Sequence, residues 1–577
     1  MAWTIVRQES EKPGLRSRLW LPNDIFHVFM TNTDLPNLKY IDLGFSKKLI
    51  NTPDFSGIPN LVELALGHCK NLVEIHPSIA VLKRLKHLHI HGCNSIKSLP
   101  SEVEMDSLES LNLNGCSNVR KIPEFGEQMK NLSKLHLGGT AIEKMPSSIE
   151  HLVGLKDLNL FNCKNLLNLP RAICNLKSLR RLCMGQCSKI DKLPGDMDHL
   201  ETLVLGATLT EPIGGMKNLK HLQLCGSYAK ARDGWRLLRI LGLGKSAPDP
   251  PPCPGLMFSS LNRLCTLRTI NLRDCKLCEG DIPDDIGCLS FLERLNLGGN
   301  NFVSLPESIR CLSKLCYLVL SSCKSLQKLP PLPFNGKLHV NVDDCTSLRS
   351  LSDTSKLSSR FTNLYDFSFT CRNCIALVQD EAWTNTILSR IVKFATQNKI
   401  VIPGSEIPEW FSNQSVGHSV NVELPPPSCT NWLGIAFCVV FEDPKENLAN
   451  PAALHCYSNF EFEFLSEPFY RKICSNIIGP LVSEHLWVFY LSREACHHKP
   501  FLFETYFGGI GVGRVKADLN KVKKCGARLV YKQDLEELNH TLKILKRTHE
   551  YRDEATPSEP GSASFSNTKQ IRKKHCY

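Results

Sequence analysis

One pattern constrains this chain more than any other: L-x-x-L-x-L-x-x-(Cys/Asn/Thr/Ser). It starts at Leu38, Leu61, Leu85, Leu108, Leu132, Leu155, Leu179, Leu200, Leu219, Leu267, Leu292, Leu315 and, in degraded form, Lys337. Most steps between starts are 23 or 24 residues, while the step from Leu219 to Leu267 is 48, two periods long. A poor copy beginning at Leu238 and the proline-rich insert Ala247–Gly255 fall inside that long step. Units this small cannot bury an apolar face alone, so recurrence at a fixed period points to stacking of neighbours into a solenoid. A chain of 577 residues can then hold one very long domain where a compact core would have split.

Within each unit the leucines at positions one, four and six alternate with polar residues, which describes a short strand with one apolar face. Stacked units place these strands side by side as a parallel sheet with the leucines in a continuous core, the horseshoe of leucine-rich repeats. Position nine is Cys69, Cys93, Cys116, Cys163, Cys187, Cys275, Cys323 or Cys345 in eight of the thirteen copies. The slot turns the chain off the strand and calls for a small buried side chain that can satisfy backbone groups, so these thiols read as ladder residues, neither metal ligands nor disulfide partners. Later in most units comes an apolar-proline step, as in Leu99-Pro100, Met145-Pro146, Leu169-Pro170 and Leu305-Pro306. Proline cannot donate to a ladder, so the far side should be irregular, without long helices.

Charge and apolar runs exclude several classes. The excess of 69 basic over 57 acidic residues, +12, is modest and favours acidic partners slightly. It includes no dense basic block interleaved with aromatics, so nucleic acid is not an expected partner. The longest apolar run, Trp432–Phe441, is half of what a membrane span needs and reads as a buried strand. The first ten residues turn polar too early for a secretory signal. The 26 cysteines are therefore taken mostly as reduced thiols of a cytoplasmic protein, with the nucleus as a second compartment.

Two flanking segments narrow the reading. One is Ile5–Ser10 with Pro13–Trp20, Asp24–Val28 and Asn32-Thr33; the other is Ile400–Phe411, reading Ile-Val-Ile-Pro-Gly-Ser-Glu-Ile-Pro-Glu-Trp-Phe, followed by Gly417-His-Ser419 and Val422–Pro426. Together with the Leu-Pro-x-x-Ile repeats and their cysteines, the chain resembles the C-terminal portion of plant intracellular immune receptors of the Toll/interleukin-receptor, nucleotide-binding, leucine-rich-repeat type. The first segment is similar to the end of the winged-helix part of their nucleotide-binding module. The second is similar to the opening of the β-sandwich that follows their repeats, a jelly-roll or Ig-like unit called C-JID. Trp432–Cys438, His485–Val488 and Val522–Tyr531 fit the same unit.

The expected layout is a winged-helix remnant at 1–34, about thirteen or fourteen repeats at 35–355 with an insert near 228–260, a connecting helix around 381–397, a sandwich at 366–545 and a disordered basic tail at 548–577. Expected sandwich strands are 420–424, 433–441, 460–465, 486–491 and 527–531. The early arrival of the repeats after Asn32-Thr33 is expected to leave the first repeat strand uncapped. The fold class is thus an α/β repeat solenoid with a parallel concave sheet, followed by a mostly β sandwich.

Residues between the leucines point to solvent on the concave side, where solenoids commonly bind. The candidate protein-binding residues are His87, Lys134, Asp157, Arg181, Arg294 and Tyr317 at position three, His89, Asn112, His136 and Asn159 at position five, and His91, Phe161 and Arg273 at position seven. The run His87-Leu-His-Ile-His91 puts three imidazoles on one face about 6.5–7 Å apart; adjacent ones could chelate a zinc ion, with His136 two repeats away too distant to help, but a recognition patch that gains charge near pH ~6.5 fits better. A second candidate set is the post-repeat motif Pro403, Gly404, Ser405, Glu406, Ile407, Pro408, Trp410 and Phe411.

Other motifs dissolve on inspection. Leu241–Ser246 ends like a phosphate-binding loop, but the position that needs the first glycine is Arg239. Gly508–Gly513 lacks the third glycine of a dinucleotide fingerprint, which falls at Arg514. Cys371-x-x-Cys374 has no second pair at zinc-ribbon spacing. No cofactor, metal or catalytic set is expected, and the NAD-cleaving domain of the resembled family has no counterpart in this chain. The resemblance implies a ligand-sensing role toward a pathogen effector or a guarded host protein, with a full-length receptor as a further partner. The alternatives are a truncated, non-signalling decoy or regulator, and a secreted leucine-rich-repeat inhibitor of microbial enzymes.

Overall fold

The computed structural model describes residues 35–206, 216–225, 266–351, 368–377, 399–442, 483–493 and 522–534, apart from stretches of one to three residues, plus strand backbones at 18–19, 452–460, 469–478 and 512–517. The expected helix at 381–397, the glycine-lysine-serine segment at 241–246, the tail and all of 1–34 except one strand lie outside the described residues.

The repeat strands stack in chain order as β2 (Tyr40–Asp42), β3 (Glu63–Ala65), β4 (His87–His89), β5 (Ser110–Asn112), β6 (Lys134–His136), β7 (Asp157–Asn159), β8 (Arg181–Met184), β9 (Thr202–Gly206), β10 (His221–Cys225), β11 (Thr269–Asn271), β12 (Arg294–Asn296), β13 (Tyr317–Val319) and β14 (His339–Asn341). Every neighbouring pair is parallel and in register, position three opposite position three. The leucines at positions one, four and six fill one core. Five-residue 3-10 turns at Ser147–His151, Arg171–Asn175 and Glu307–Cys311 follow Pro146, Pro170 and Pro306 on the far side, because proline presets the entry angle while donating nothing.

Position nine answers a specific need. The thiols of Cys69, Cys93, Cys116, Cys163, Cys187, Cys323 and Cys345 each donate to the carbonyl of the position-six residue one repeat earlier, at 3.0–3.3 Å. Asn300 fills the same slot with its amide, donating to Leu272 at 2.9 Å and Leu297 at 2.7 Å. Burial pushes the thiols of Cys116 and Cys187 up, to about 11 and about 12, so these two remain neutral donors.

Three features depart from the sequence expectations. First, β10 pairs directly with β11, His221 beside Thr269, so no further strand stands between them in the ladder; the degenerate copy expected at Leu238 lies outside the described residues. Second, the first repeat strand is not a bare edge. The backbone of β1 (Arg18–Leu19) lies parallel against it, Arg18 opposite Tyr40 and Leu19 opposite Ile41. Third, β15 (Ser368–Thr370), inside the range expected for the sandwich, continues the parallel ladder, His339 beside Ser368. That places Cys371 in the leucine slot of position six and Cys374 in the ninth slot, where its thiol donates to Val342 at 3.1 Å. The Cys-x-x-Cys pair is a repeat strand that lost its leucines.

β16 (Lys399–Pro403) then changes partners. On one side it runs parallel to β15; on the other it runs antiparallel to β22 (His485–Ser492). Beyond β22 lie β19 (Trp432–Phe441), β24 (Val522–Tyr531) and β17 (Asn413–Val416), all antiparallel. Solenoid and sandwich therefore share one 20-stranded sheet. The other layer of the sandwich is β18 (Ser419–Glu423), β23 (Val512–Ala517), β20 (Ala452–Phe460) and β21 (Phe469–Ile478). Of the strand expected at 460–465, Phe460 is the last residue of β20 and 461–465 lie outside the described residues; β21 was not anticipated. Alternation along β16 joins the two cores: Ile400 and Ile402 enter that of the solenoid, Val401 that of the sandwich, with Phe437, Trp487 and Phe489.

Candidate binding surface

The open face of the ladder is a grid set by register. Position three runs His87, Ser110, Lys134, Asp157, Arg181, Thr202, His221, Thr269, Arg294, Tyr317, His339, each beside the next. None of the thirteen concave residues expected from sequence is buried, because each alternates with a leucine that is. The structure gathers them into two clusters of different chemistry.

Toward the N-terminal end the surface is built of imidazoles. His87 and His89 stack with ring centres 6.2 Å apart, and His89 Nε2 lies 3.9 Å from Glu63 Oε1. His91 stands edge-on to His68 at 4.9 Å, and His68 stacks on Phe45 at 4.8 Å. Gly67 makes room for this group, since a Cβ there would meet the His91 ring at 2.5 Å. His136 Nε2 approaches Asp157 Oδ2 at 3.6 Å on the next strand. Burial pushes His89 and His91 below the ordinary histidine value; Glu63 opposes this at His89. Among the described residues no set of three or more His, Cys, Asp or Glu could hold a metal ion.

Toward the C-terminal end three adjacent rungs form a stack. The Arg294 guanidinium lies 4.5 Å from the centre of the Tyr317 ring, which stacks on His339 at 4.7 Å and 14°. A planar cation over an aromatic ring is attracted by its quadrupole, so three side chains hold one another upright on an exposed surface.

Other expected residues turn out to have internal duties. The side-chain oxygens of Asn112 and Asn159 accept from the N–H two residues on, Asn114 at 3.0 Å and Phe161 at 2.9 Å, and Asn271, Asn296 and Asn341 do the same. Position five thus favours asparagine to turn the chain off the strand. Arg273 leans on Asp274 and Ser321. Sequence reading missed Phe45, Glu63, His68 and His339. Counting six residues back from Cys345 would have found His339. Phe45 and His68 occupy position eight, which is left-handed from repeat to repeat, φ 60° and 61° there against 73° at Gly92 and 62° at Asn162, so a turn position usually left to small residues carries two rings that stack.

The post-repeat motif proves largely internal. Ile407 and Phe411 are 7% and 1% exposed and close the solenoid core beneath the shared sheet. Gly526 leaves them space, since a Cβ there would lie 2.6 Å from Ile407. Trp410 meets Phe411 edge-on at 5.1 Å, and Arg528 covers Trp410 at 4.8 Å while donating to its carbonyl at 2.9 Å. Pro403 ends β16, the Gly404 N–H donates to Glu484, and the Pro408 carbonyl accepts from Phe411. On the rim Ser405 is exposed, and Glu406 pairs with Lys524 at 2.5 Å.

With this geometry in view, the comparisons fall into place. Residues 104–196 and 256–372 match the model of "Disease resistance protein RPS4B-like, leucine-rich repeats", and residues 402–536 match the C-JID domain. The chain carries the repeats and the C-JID domain of plant disease resistance proteins. It is 30% identical over 400 residues to the disease resistance-like protein DSC1 of Arabidopsis thaliana, covering 61% of this chain and 30% of that one. To the TMV resistance protein N of Nicotiana glutinosa it is 34% identical over 281 residues, 44% of this chain and 22% of that one. The chain thus spans less than a third of the length of either relative. A leucine-rich-repeat protein of Leptospira interrogans aligns at 20% identity and TM-score 0.31, covering 62% of this chain and 92% of its own. The resistance-protein repeats end at β15, and C-JID begins on the strand they share.

Proposed function

We propose that this chain is the ligand-sensing part of an intracellular plant immune receptor, which binds a pathogen effector or a host protein that the effector modifies. The observation that carries the reading is the open grid itself. An exposed face runs through β14, carries imidazole and guanidinium–aromatic clusters, and ends where Val401, beside Thr370, turns into the sandwich core. A partner laid along it would meet histidines near one end and the Arg294–Tyr317–His339 stack near the other, a surface suited to acidic and aromatic side chains. Residence in the cytoplasm, with the nucleus as a second compartment, belongs to this reading; among the described residues no helix is long and apolar enough to cross a membrane.

The test is to immobilise the chain and its triple variant His89→Ala, Arg181→Ala, Arg294→Ala, and to capture proteins from infected and healthy leaf extract. The reading expects an infection-dependent protein that binds the parent and is lost from the variant. Capture of the same proteins by both would sink it. Association with a full-length receptor that survives the triple substitution would favour the decoy or regulator.

A further inference from the structure

His485 opens β22 and is fully enclosed, 0% exposed. Its ring meets two backbone groups from distant parts of the chain. Nδ1 lies 2.8 Å from the Ser483 carbonyl, which can only accept, so this nitrogen carries the hydrogen. Nε2 lies 3.0 Å from the amide nitrogen of Asn373, which can only donate, so Nε2 must be bare. Only the neutral imidazole in that one tautomer satisfies both.

Asn373 belongs to the last repeat, at position eight, with φ 58°. Its side chain donates to Asp344 at 2.8 Å. The preceding residue, Arg372, grips the buried Asp343 through its own N–H at 2.8 Å, Nε at 3.0 Å and Nη2 at 2.6 Å. Asp343, the nearby carboxylate best placed to accept an imidazolium, is therefore already neutralised by a guanidinium. Across β19 stands the ring of Phe441 at 6.3 Å, and across β16 stands Pro403. The remaining charges on this side, Glu484 and Glu442, both pair with Lys523 on the rim.

We propose that neutral His485 latches the C-JID sandwich to the last repeat, and that protonation releases this hold, so that acidification loosens the joint. A proton on Nε2 would set one N–H against another where the Asn373 bond now sits. Burial, the largest influence, pushes His485 below the ordinary histidine value of 6.5, with the Ser483 carbonyl and Asp343 opposing and Arg372 reinforcing. The folded state thus binds fewer protons than the unfolded one, and the latch's contribution is present above pH 6.5 and lost as pH falls below it. The device does not depend on the concave face being a binding site.

Hydrogen exchange on the whole chain tests it, with each rate divided by the intrinsic rate at that pH. Protection of the Asn373 amide should fall on the order of tenfold from about pH 7.5 to about pH 5.5 in the parent and stay within about twofold in His485→Gln, whose side-chain oxygen accepts without titrating. Ladder amides away from the N-terminal histidines, such as that of Leu297 bonded to the Val319 carbonyl, should not change. Parent protection that holds across the range overturns the proposal, and so does a glutamine variant that loses protection in step with the parent. If that variant does not fold, the parent series still decides. Loss confined to peptides covering 372–375 and 399–403 supports the latch; uniform loss along the chain refutes it.

Discussion

The ladder and the joint face the same physical problem, polar backbone groups at strand ends removed from water, and they solve it in opposite ways. In most repeats of the ladder one small donor reaches the carbonyl behind it, and the solution recurs from Cys69 to Cys374. At the joint each bond is made once, between segments over a hundred residues apart: Asn373 with His485, and Trp410 with Arg528. Repetition makes the ladder tolerant, because damage to one rung is confined to its neighbours. The joint has no second copy. Errors there should loosen the C-JID part as a whole.

The sharpest way to break this comparison is Phe411→Ala. Loss of a fully enclosed ring should cost about 4 kcal/mol, seen as early unfolding of the C-JID part in denaturant while the repeats hold. A single transition in which both parts weaken equally would mean the joint is no more fragile than a rung. Asn300→Ala comes next. It strands the carbonyl of Leu272 and the N–H of Leu277, while the Leu297 carbonyl keeps the Cys323 thiol, a loss of about 2 kcal/mol. Cys163→Ala, which removes one thiol donor at 3.2 Å, should cost about 1 kcal/mol by the same measurement. A larger loss from the cysteine than from the asparagine would show that the slot is selected for packing and not for donation.

The smallest expected effect lies on the open face. His136→Gln breaks an approach of 3.6 Å between groups that are a quarter exposed and should leave stability nearly unchanged. Titration has more effect there. With His89 and His91 held below the ordinary value by burial, the N-terminal repeats bind fewer protons folded than unfolded, so their stability should decline as pH falls below about 6.5. Melting at pH 7.5 and 5.5, with His89→Gln, His91→Gln as the comparison, checks the sign.

Much of the ladder was legible in advance because its rules are local. Leu158 is buried and Asp157 is not for a reason already present in their alternation. The limits were equally physical. The copy at Leu238 matched the pattern, yet no strand stands between His221 and Thr269, since register is decided by which strands actually meet. Cys371 and Cys374, set aside as a metal pair, still do not read as a rung, because cysteine in a leucine slot defeats the pattern. Asn112 and Asn159 read as recognition residues because their acceptors, N–H groups two residues away, become partners only once the chain turns.

What the sequence determined by itself is the unit: period, buried face, ninth-position donor and the family whose repeats and C-JID domain these are. What only the tertiary structure decided is how the units end. β16 belongs to two sheets at once, Ile407 and Phe411 seal a core begun hundreds of residues earlier, and His485 is held to one tautomer by an amide of the last repeat. Repeats can be read because each is stabilised by a neighbour of known spacing. A joint cannot, because its partners are fixed by where the chain returns in space and not by any interval along it.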